Sequence, residues 1–161
     1  MAKYLSTKTY GNDRGLSCCF RQWRATHSHC STLHGYSIGI KLVFECDTLD
    51  DKNWCMDFGG LKEFKAWADH MFDHTLVVAH DDPHLETFQK LNEISGGFED
   101  RGLCDLRIVP GVGCEMFAKL CYDKMAELLA SGDMRYPINP TVRVKSVEVF
   151  EHAGNSATYE G

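Results

Sequence analysis

Residues 23–36 read WRATHSHCSTLHGY. Three histidines, His27, His29 and His34, fall within this stretch, and Cys30 stands among them. Trp23, Ala25, His27 and His29 recur with a period of two, so the spacing predicts that they share one face of a strand running over 16–28. A phase shift between Phe20 and Trp23 predicts a bulge in that strand. His34 opens a second strand, a hairpin away. A catalytic zinc ion takes three protein ligands and keeps one position for water or substrate. The three histidines are therefore candidate zinc ligands; the same spacing also fits a polar hairpin whose histidines are exposed or cap turns. Beside a metal or an imidazolium, the Cys30 thiol would be acidified into a usable base or nucleophile. A buried structural cysteine is the plainer alternative.

Outward from this stretch, Tyr36, Ile38, Ile40, Leu42 and Phe44 alternate with smaller or polar residues, predicting a strand over 35–46. Asp57 is placed to cap a helix over 62–72, whose Phe64, Trp67, Ala68 and Met71 form an apolar stripe. HLETFQKLNEI, within 80–110, reads as a short helix broken by Gly96 and Gly97. Residues 115–130 carry the clearest helical pattern, with Gly132 as its stop. Strands follow over 141–151 and near 157–159. The polar residues 1–15 read as an arm that docks elsewhere, and 80–110 as an insertion. The order β-β-α-α-β-β lacks the alternation of a parallel α/β fold. It predicts an α+β fold, a four-stranded antiparallel sheet with helices on one face. Two open sheet edges would be covered by pairing between subunits, so a homo-oligomer is expected.

The chain has 161 residues, which predicts a single domain over 1–161. Its 43% hydrophobic and 25% charged residues are those of a globular protein, not a disordered one. The net charge of −6 and the scattered Lys and Arg argue against a nucleic-acid or membrane partner. A phosphate site would have to rest on local Lys, Arg or backbone N–H groups. Eight cysteines occur without a C-x-x-C pair, and no signal-type or membrane-length apolar run is present. Reduced thiols in a cytoplasmic protein are the expectation.

Four further residues, at three places in the chain, carry candidate chemistry. Asp73–His74 closes the 62–72 helix, where a carboxylate beside an imidazole suits proton transfer near neutral pH; a helix C-terminus stabilising a histidine is the alternative. Glu151 ends an apolar strand, where its carboxylate could accept two N–H bonds from a guanidine-like heterocycle edge or be merely solvated. Glu115 opens a helix, a favourable place for a negative charge.

Taken in order, these pieces resemble the 6-pyruvoyltetrahydropterin synthase / 6-carboxytetrahydropterin synthase family. Trp23-x-Ala25-x-His27 stands for the family's F-x-A-x-H on its first strand. Cys30-Ser-Thr-Leu-His34-Gly35-Tyr36 stands for its Cys, three residues and His-Gly-His. Asp57-Phe58-Gly-Gly-Leu61-Lys62 is similar to D-F-x-x-L-K, and Phe72-Asp73-His74 to L-D-H. Val112-Gly113-Cys114-Glu115 resembles P-T-x-E, and Glu151 to Tyr159 resembles the closing E-T-x-x-x-x-A-x-Y. The resemblance implies a tunnelling fold, with trimers closed into a barrel and stacked as a hexamer. It implies 7,8-dihydroneopterin triphosphate as substrate and Zn2+ as cofactor. It further implies Cys30 as thiolate base, Asp73 and His74 as a proton relay, Glu151 as pterin anchor and Glu115 at the substrate site or behind it. The second His of His-Gly-His is here Tyr36, and only two residues separate His27 from Cys30. His29 is the replacement ligand this suggests, giving His27, His29 and His34. The implied reaction releases acetaldehyde and triphosphate to leave 6-carboxy-5,6,7,8-tetrahydropterin, in 7-deazaguanine (queuosine) biosynthesis. The alternatives are triphosphate elimination to 6-pyruvoyltetrahydropterin, or metal or pterin binding without turnover.

Overall fold

The alternation over 35–46 forms the longest strand, β3 (His34–Cys46), in the computed structural model, which describes residues 3–161. Its inward residues Ile38, Ile40, Leu42, Phe44 and Cys46 are at most 1% exposed. One side of β3 pairs antiparallel with β1 (Tyr4–Tyr10) along Ile40–Cys46 and with β2 (Leu16–Phe20) along His34–Ile38. Its other side pairs with β6 (Arg143–His152), which in turn pairs with β7 (Asn155–Glu160). The strands β2-β3-β6-β7 are the antiparallel four expected from the sequence.

The sheet continues beyond them. β4 (Thr75–Ala79) pairs parallel with β2, and β5 (Leu106–Val109) parallel with β4, making seven strands in a mixed sheet. β4 is TLVVA, buried throughout. A short continuous apolar run of this kind is typical of buried parallel strands and shows no periodicity to read. Residues 4–10, expected in a separate arm, are built into the sheet as β1. The strand expected over 16–28 ends at Phe20; residues 21–33 are turns and one 3-10 turn, His29–Ser31.

Helix α1 (Lys62–Phe72) follows a 3-10 turn at Phe58–Leu61, whose Gly59 N–H donates to Asp57 Oδ1 at 2.9 Å. Helix α3 (Cys114–Ser131) stops at Gly132, where φ of 68° is the left-handed region that glycine enters without strain. Between them lies α2 (Leu85–Glu93). Phe64, Ala68 and Phe72 of α1 and Phe117, Cys121 and Met125 of α3 join Ile38, Ile40 and Leu42 in one core. Val77 belongs to that core, whereas Leu76 and Val78 pack with Phe88 of α2 in a second cluster. Successive strand residues face opposite sides of a sheet. So α1 and α3 share one face, as expected, and α2 covers the other at β4. All eight cysteines are free thiols, and among the described residues no helix is long and apolar enough to cross a membrane.

Candidate functional site

The segment between β2 and β3 is a closed loop rather than a strand. Gln22 N–H donates to the Cys30 carbonyl at 2.8 Å, and Cys30 N–H donates to Ser28 Oγ at 3.2 Å. Arg21 anchors the loop base. Its Nε and Nη2 donate to Asp82 at 2.8 and 2.7 Å, and Nη1 donates to the Ser31 carbonyl at 3.1 Å. The Asp82 side chain is 1% exposed. Burial alone would raise its pKa, but the Arg21 hydrogen bonds and the His84 N–H hold it below the ordinary carboxylate value. Trp23 and Arg24 both reach Asp81, with the Arg24 guanidinium stacked 4.1 Å from the Trp23 ring.

This loop separates the expected ligands. His27 lies in a turn and His29 in the 3-10 turn, and both are exposed. They do not share a strand face, because the strand has already ended. His34 opens β3, with its Nδ1 2.8 Å from the Thr32 carbonyl, leaving Nε2 as its one available ring nitrogen. Among the described residues, no three His, Cys, Asp or Glu side chains stand close enough together to hold a metal ion.

A different group of side chains does converge. Phe20 is the cross-strand partner of His34, and Cys18 that of Tyr36. The Phe20 ring lies 5.0 Å from His34 and 6.2 Å from Tyr36, and the His34 and Tyr36 rings stand perpendicular at 5.5 Å. Phe117 of α3 packs edge-on against Phe20 from behind, at 5.2 Å. A Cβ at Gly35 would meet the Cys18 carbonyl oxygen at 3.1 Å, so glycine keeps β2 and β3 in close register here. The Tyr36 phenol is pushed up by burial first, then by the nearby negative charges that Glu151, Cys30 and Cys114 can carry. The Cys114 thiol, at the start of α3, is raised to about 12, by burial and then by Glu151 and Glu115. Cys30, His34, Tyr36 and Glu151 thus belong to one neighbourhood.

Glu151 is placed by a residue that the sequence did not single out. The Asn12 side-chain amide donates to the carbonyls of Ser37 at 2.8 Å, Phe150 at 3.2 Å and Glu151 at 3.3 Å. These bonds hold the end of β6 to β3, where the β6–β7 register shifts between Phe150 and His152. Glu115 is exposed in the first turn of α3.

Asp73 and His74 lie elsewhere. His74 Nδ1 is 2.8 Å from Asp73 Oδ1, which also accepts from the Ser17 N–H at 3.4 Å. Ser17 and Phe20 are three residues apart on β2, roughly 10 Å at strand rise. His74 is exposed, has φ of 55°, and lines an open hollow with Asn92, Phe98 and Arg101. The left-handed backbone at a non-glycine residue is a strained conformation of the kind found at functional positions. Within one chain, the pair does not face Cys30.

Chemically, the neighbourhood offers a carboxylate acceptor (Glu151), a phenol (Tyr36), a thiol (Cys30) and an aromatic floor (Phe20, His34, Tyr36). It does not fit a bound zinc ion: Phe20 has no donor, neutral Tyr36 is a poor ligand, His34 supplies one nitrogen, and among the described residues Cys30 and Glu151 do not close with it into a set of three donors.

Comparison with known proteins bears on this arrangement. The sequence model of the 6-pyruvoyl tetrahydropterin synthase family matches residues 12–161. A protein of Aquifex aeolicus named 6-carboxy-5,6,7,8-tetrahydropterin synthase is 25% identical over 81% of this chain and 75% of its own length. One of the same name from Rickettsia conorii is 32% identical over 35% of this chain, a match spanning only 41% of that protein. Among solved structures, an uncharacterized protein of Wolinella succinogenes, WS1659, superposes with a TM-score of 0.75 at 19% identity, covering 100% of this chain and 99% of that one. The 6-pyruvoyl tetrahydropterin synthase of Plasmodium falciparum superposes with a TM-score of 0.63 at 15% identity, covering 100% and 99%. These likenesses show the fold, the α+β tunnelling fold expected from the sequence.

Proposed function

The chain belongs to the 6-pyruvoyl tetrahydropterin synthase family, and on that premise we propose that it binds a reduced pterin and transforms the pterin side chain. The observation that carries this reading is that Tyr36, whose ring lies 5.5 Å from His34 and 6.3 Å from His152, meets the end of β6 where Asn12 ties the Glu151 carbonyl to that of Ser37. Burial first, and then the nearby Glu151 and Cys30 side chains, raise the Tyr36 phenol. A pterin presents an amino group and a ring N–H side by side, which one carboxylate accepts together; Glu151 is the anchor. Cys30 is the base that meets the side chain carried by the ring. The proposed substrate is 7,8-dihydroneopterin triphosphate. The proposed products are 6-carboxy-5,6,7,8-tetrahydropterin, acetaldehyde and triphosphate, supported by the names of the Aquifex and Rickettsia relatives. Asp73 and His74 serve as the proton relay for a neighbouring subunit in a homo-oligomer, a trimer or hexamer. That assignment is supported by the exposure of His74 and by the hydrogen bond that Asp73 accepts from the N–H of Ser17, three residues along β2 from Phe20. The free thiols suit a reducing, cytoplasmic setting. Among the described residues the donors for a zinc ion are not assembled, so the proposed chemistry falls to Cys30 and the Asp73–His74 pair.

A second reading, pterin binding without turnover, is favoured by Phe20 and Tyr36 standing beside His34. Incubation with 7,8-dihydroneopterin triphosphate, with products identified by mass spectrometry, separates the possibilities. The carboxy product with acetaldehyde supports the proposal. A pyruvoyl product, with the three-carbon side chain kept, moves the assignment to triphosphate elimination. Tight binding of intact substrate establishes the second reading, and neither binding nor product refutes the pterin assignment.

A further inference from the structure

We infer that this pocket works without a resident metal ion, and that the Tyr36 hydroxyl provides the polar contact to the ligand's side chain at its floor. The first half rests on geometry alone; the second rests on the pterin reading for the identity of its ligand.

The floor is made where two adjacent strands bring three side chains to one point. Phe20 of β2 faces His34 across the strand pair, and Tyr36 is the next residue on the same face of β3. A zinc site at that point needs three nitrogen, sulfur or oxygen donors, and among the described residues His34 has no two further His, Cys, Asp or Glu side chains close enough to complete the set. Phe20 offers no donor. It is 1% exposed and wedged between His34 and Phe117, so it has no room to swing aside for another donor. His34 spends Nδ1 on the Thr32 carbonyl. His27 and His29 are carried on a loop that Gln22, Ser28 and Arg21 tie down, and both face solvent. The aromatic ring that closes the coordination space also leaves a flat, apolar surface suited to a planar heterocycle.

With no cation present, the polar group at the floor is Tyr36. Its hydroxyl is both donor and acceptor, and Glu151, Cys30 and Cys114 lie around it. A heterocycle anchored on Glu151 would bring a side-chain oxygen toward this hydroxyl. A site built to hydrogen-bond a substrate hydroxyl discriminates against analogues lacking it. The class of ligand is therefore a reduced pterin bearing a hydroxylated side chain at C6.

Two measurements test this. The full-length protein is expressed in zinc-supplemented medium, its zinc counted by mass spectrometry, and the protein titrated with cobalt(II). Wild type is expected to hold less than about 0.1 zinc per chain and to show no tetrahedral cobalt band, whereas Phe20→His/Tyr36→His gains about one zinc and the band. Near-stoichiometric zinc in wild type, lost in His34→Ala, overturns the inference. The wild-type titration decides the matter even if the double variant does not fold. In the second measurement, 7,8-dihydroneopterin and side-chain-free 7,8-dihydropterin are titrated by fluorescence. EDTA should leave wild-type binding unchanged, and Tyr36→Phe should weaken 7,8-dihydroneopterin about tenfold while sparing 7,8-dihydropterin. Equal weakening of both, or loss of binding in EDTA, refutes the Tyr36 role. Failure of wild type to bind either pterin sinks the pterin reading and the Tyr36 role together, and the zinc count still decides the first half.

Discussion

Replacing Arg21 by Met removes the guanidinium that clamps the site loop and keeps most of its apolar stem. Asp82 then retains one hydrogen bond, from the His84 N–H at 2.8 Å, with its side chain 1% exposed. Removing one partner of a buried ion pair costs about 3–5 kcal/mol. Arg21 is 18% exposed, so water reaches one edge of the cleft and the lower figure applies. About 3 kcal/mol lowers the melting temperature of a chain this size by roughly 6–12 °C. The pH dependence has a definite sign. The folded Asp82 pKa lies below the unfolded value, so the stability it contributes is present above that unfolded value, near about 3.9, and is lost as pH falls through the lower folded value. Circular dichroism melts from neutral to acid pH should therefore show the gap between wild type and Arg21→Met closing below pH of about 4. The double variant Arg21→Met/Asp82→Leu should recover most of the loss, because a matched apolar pair replaces the broken ionic one. The Ser31 carbonyl also loses its donor, so Cys30 should be alkylated faster in the single variant, read by peptide mass spectrometry. A variant melting within about 2 °C of wild type at neutral pH, or a gap undiminished in acid, would refute the assignment of the pair as the loop's anchor.

Two other outcomes follow from the core. Phe117 is 0% exposed and packs on Phe20 and on Phe72 at 5.3 Å; Phe117→Ala should cost about 3–5 kcal/mol in urea unfolding and loosen the pocket floor with it, and a loss near zero would mean the ring is not seated there. Tyr10 is pushed up to about 12, by burial and then by Asp69; ultraviolet titration should find a phenol that ionises only near that pH, with the stability it contributes intact below about 10 and lost as pH rises through the folded value. All six tyrosines ionising together near 10 would count against its burial.

The helices and the long strand were legible because their apolar residues repeat with the period of the element. Phe64, Ala68 and Phe72 recur along α1, and Ile38 to Phe44 alternate along β3, each set buried as one face. β4 and β5 were not legible. A strand buried on both faces, or as short as Leu106–Val109, carries no alternation. β1 was hidden for the opposite reason: Tyr10 is its one buried residue, and Tyr4 and Leu5 are exposed, so YLSTKTY shows no apolar alternation to mark it. Of the candidate site, Cys30, His34 and Glu151 were recognisable by motif. Asn12 was not, because its role lies in three backbone carbonyls from two other strands.

The strand expected to carry His27 and His29 does not reach them, for a physical reason on which the proposed metal-free pocket also rests. Period two identifies a strand only when the recurring residues have something to be buried against. Trp23, Ala25, His27 and His29 satisfy the spacing, yet His27 and His29 are polar and exposed. Leu16, Cys18 and Phe20 satisfy it as well, and each is 1% exposed. The hydrophobic gain of burying three side chains, of order 1.5–3 kcal/mol for each large one, selects the earlier set as the strand that pairs with His34. The phase shift at Phe20 was therefore the end of the strand, not a bulge within it. Once β2 ends there, the residue that stands opposite His34 on its neighbouring strand is Phe20, not a histidine. The register that places Tyr36 beside His34 thus places a further ring, that of Phe20, against both. Of the three side chains meeting at the floor, Phe20 has no donor and neutral Tyr36 is a poor one, which is the ground on which the metal-free pocket is proposed.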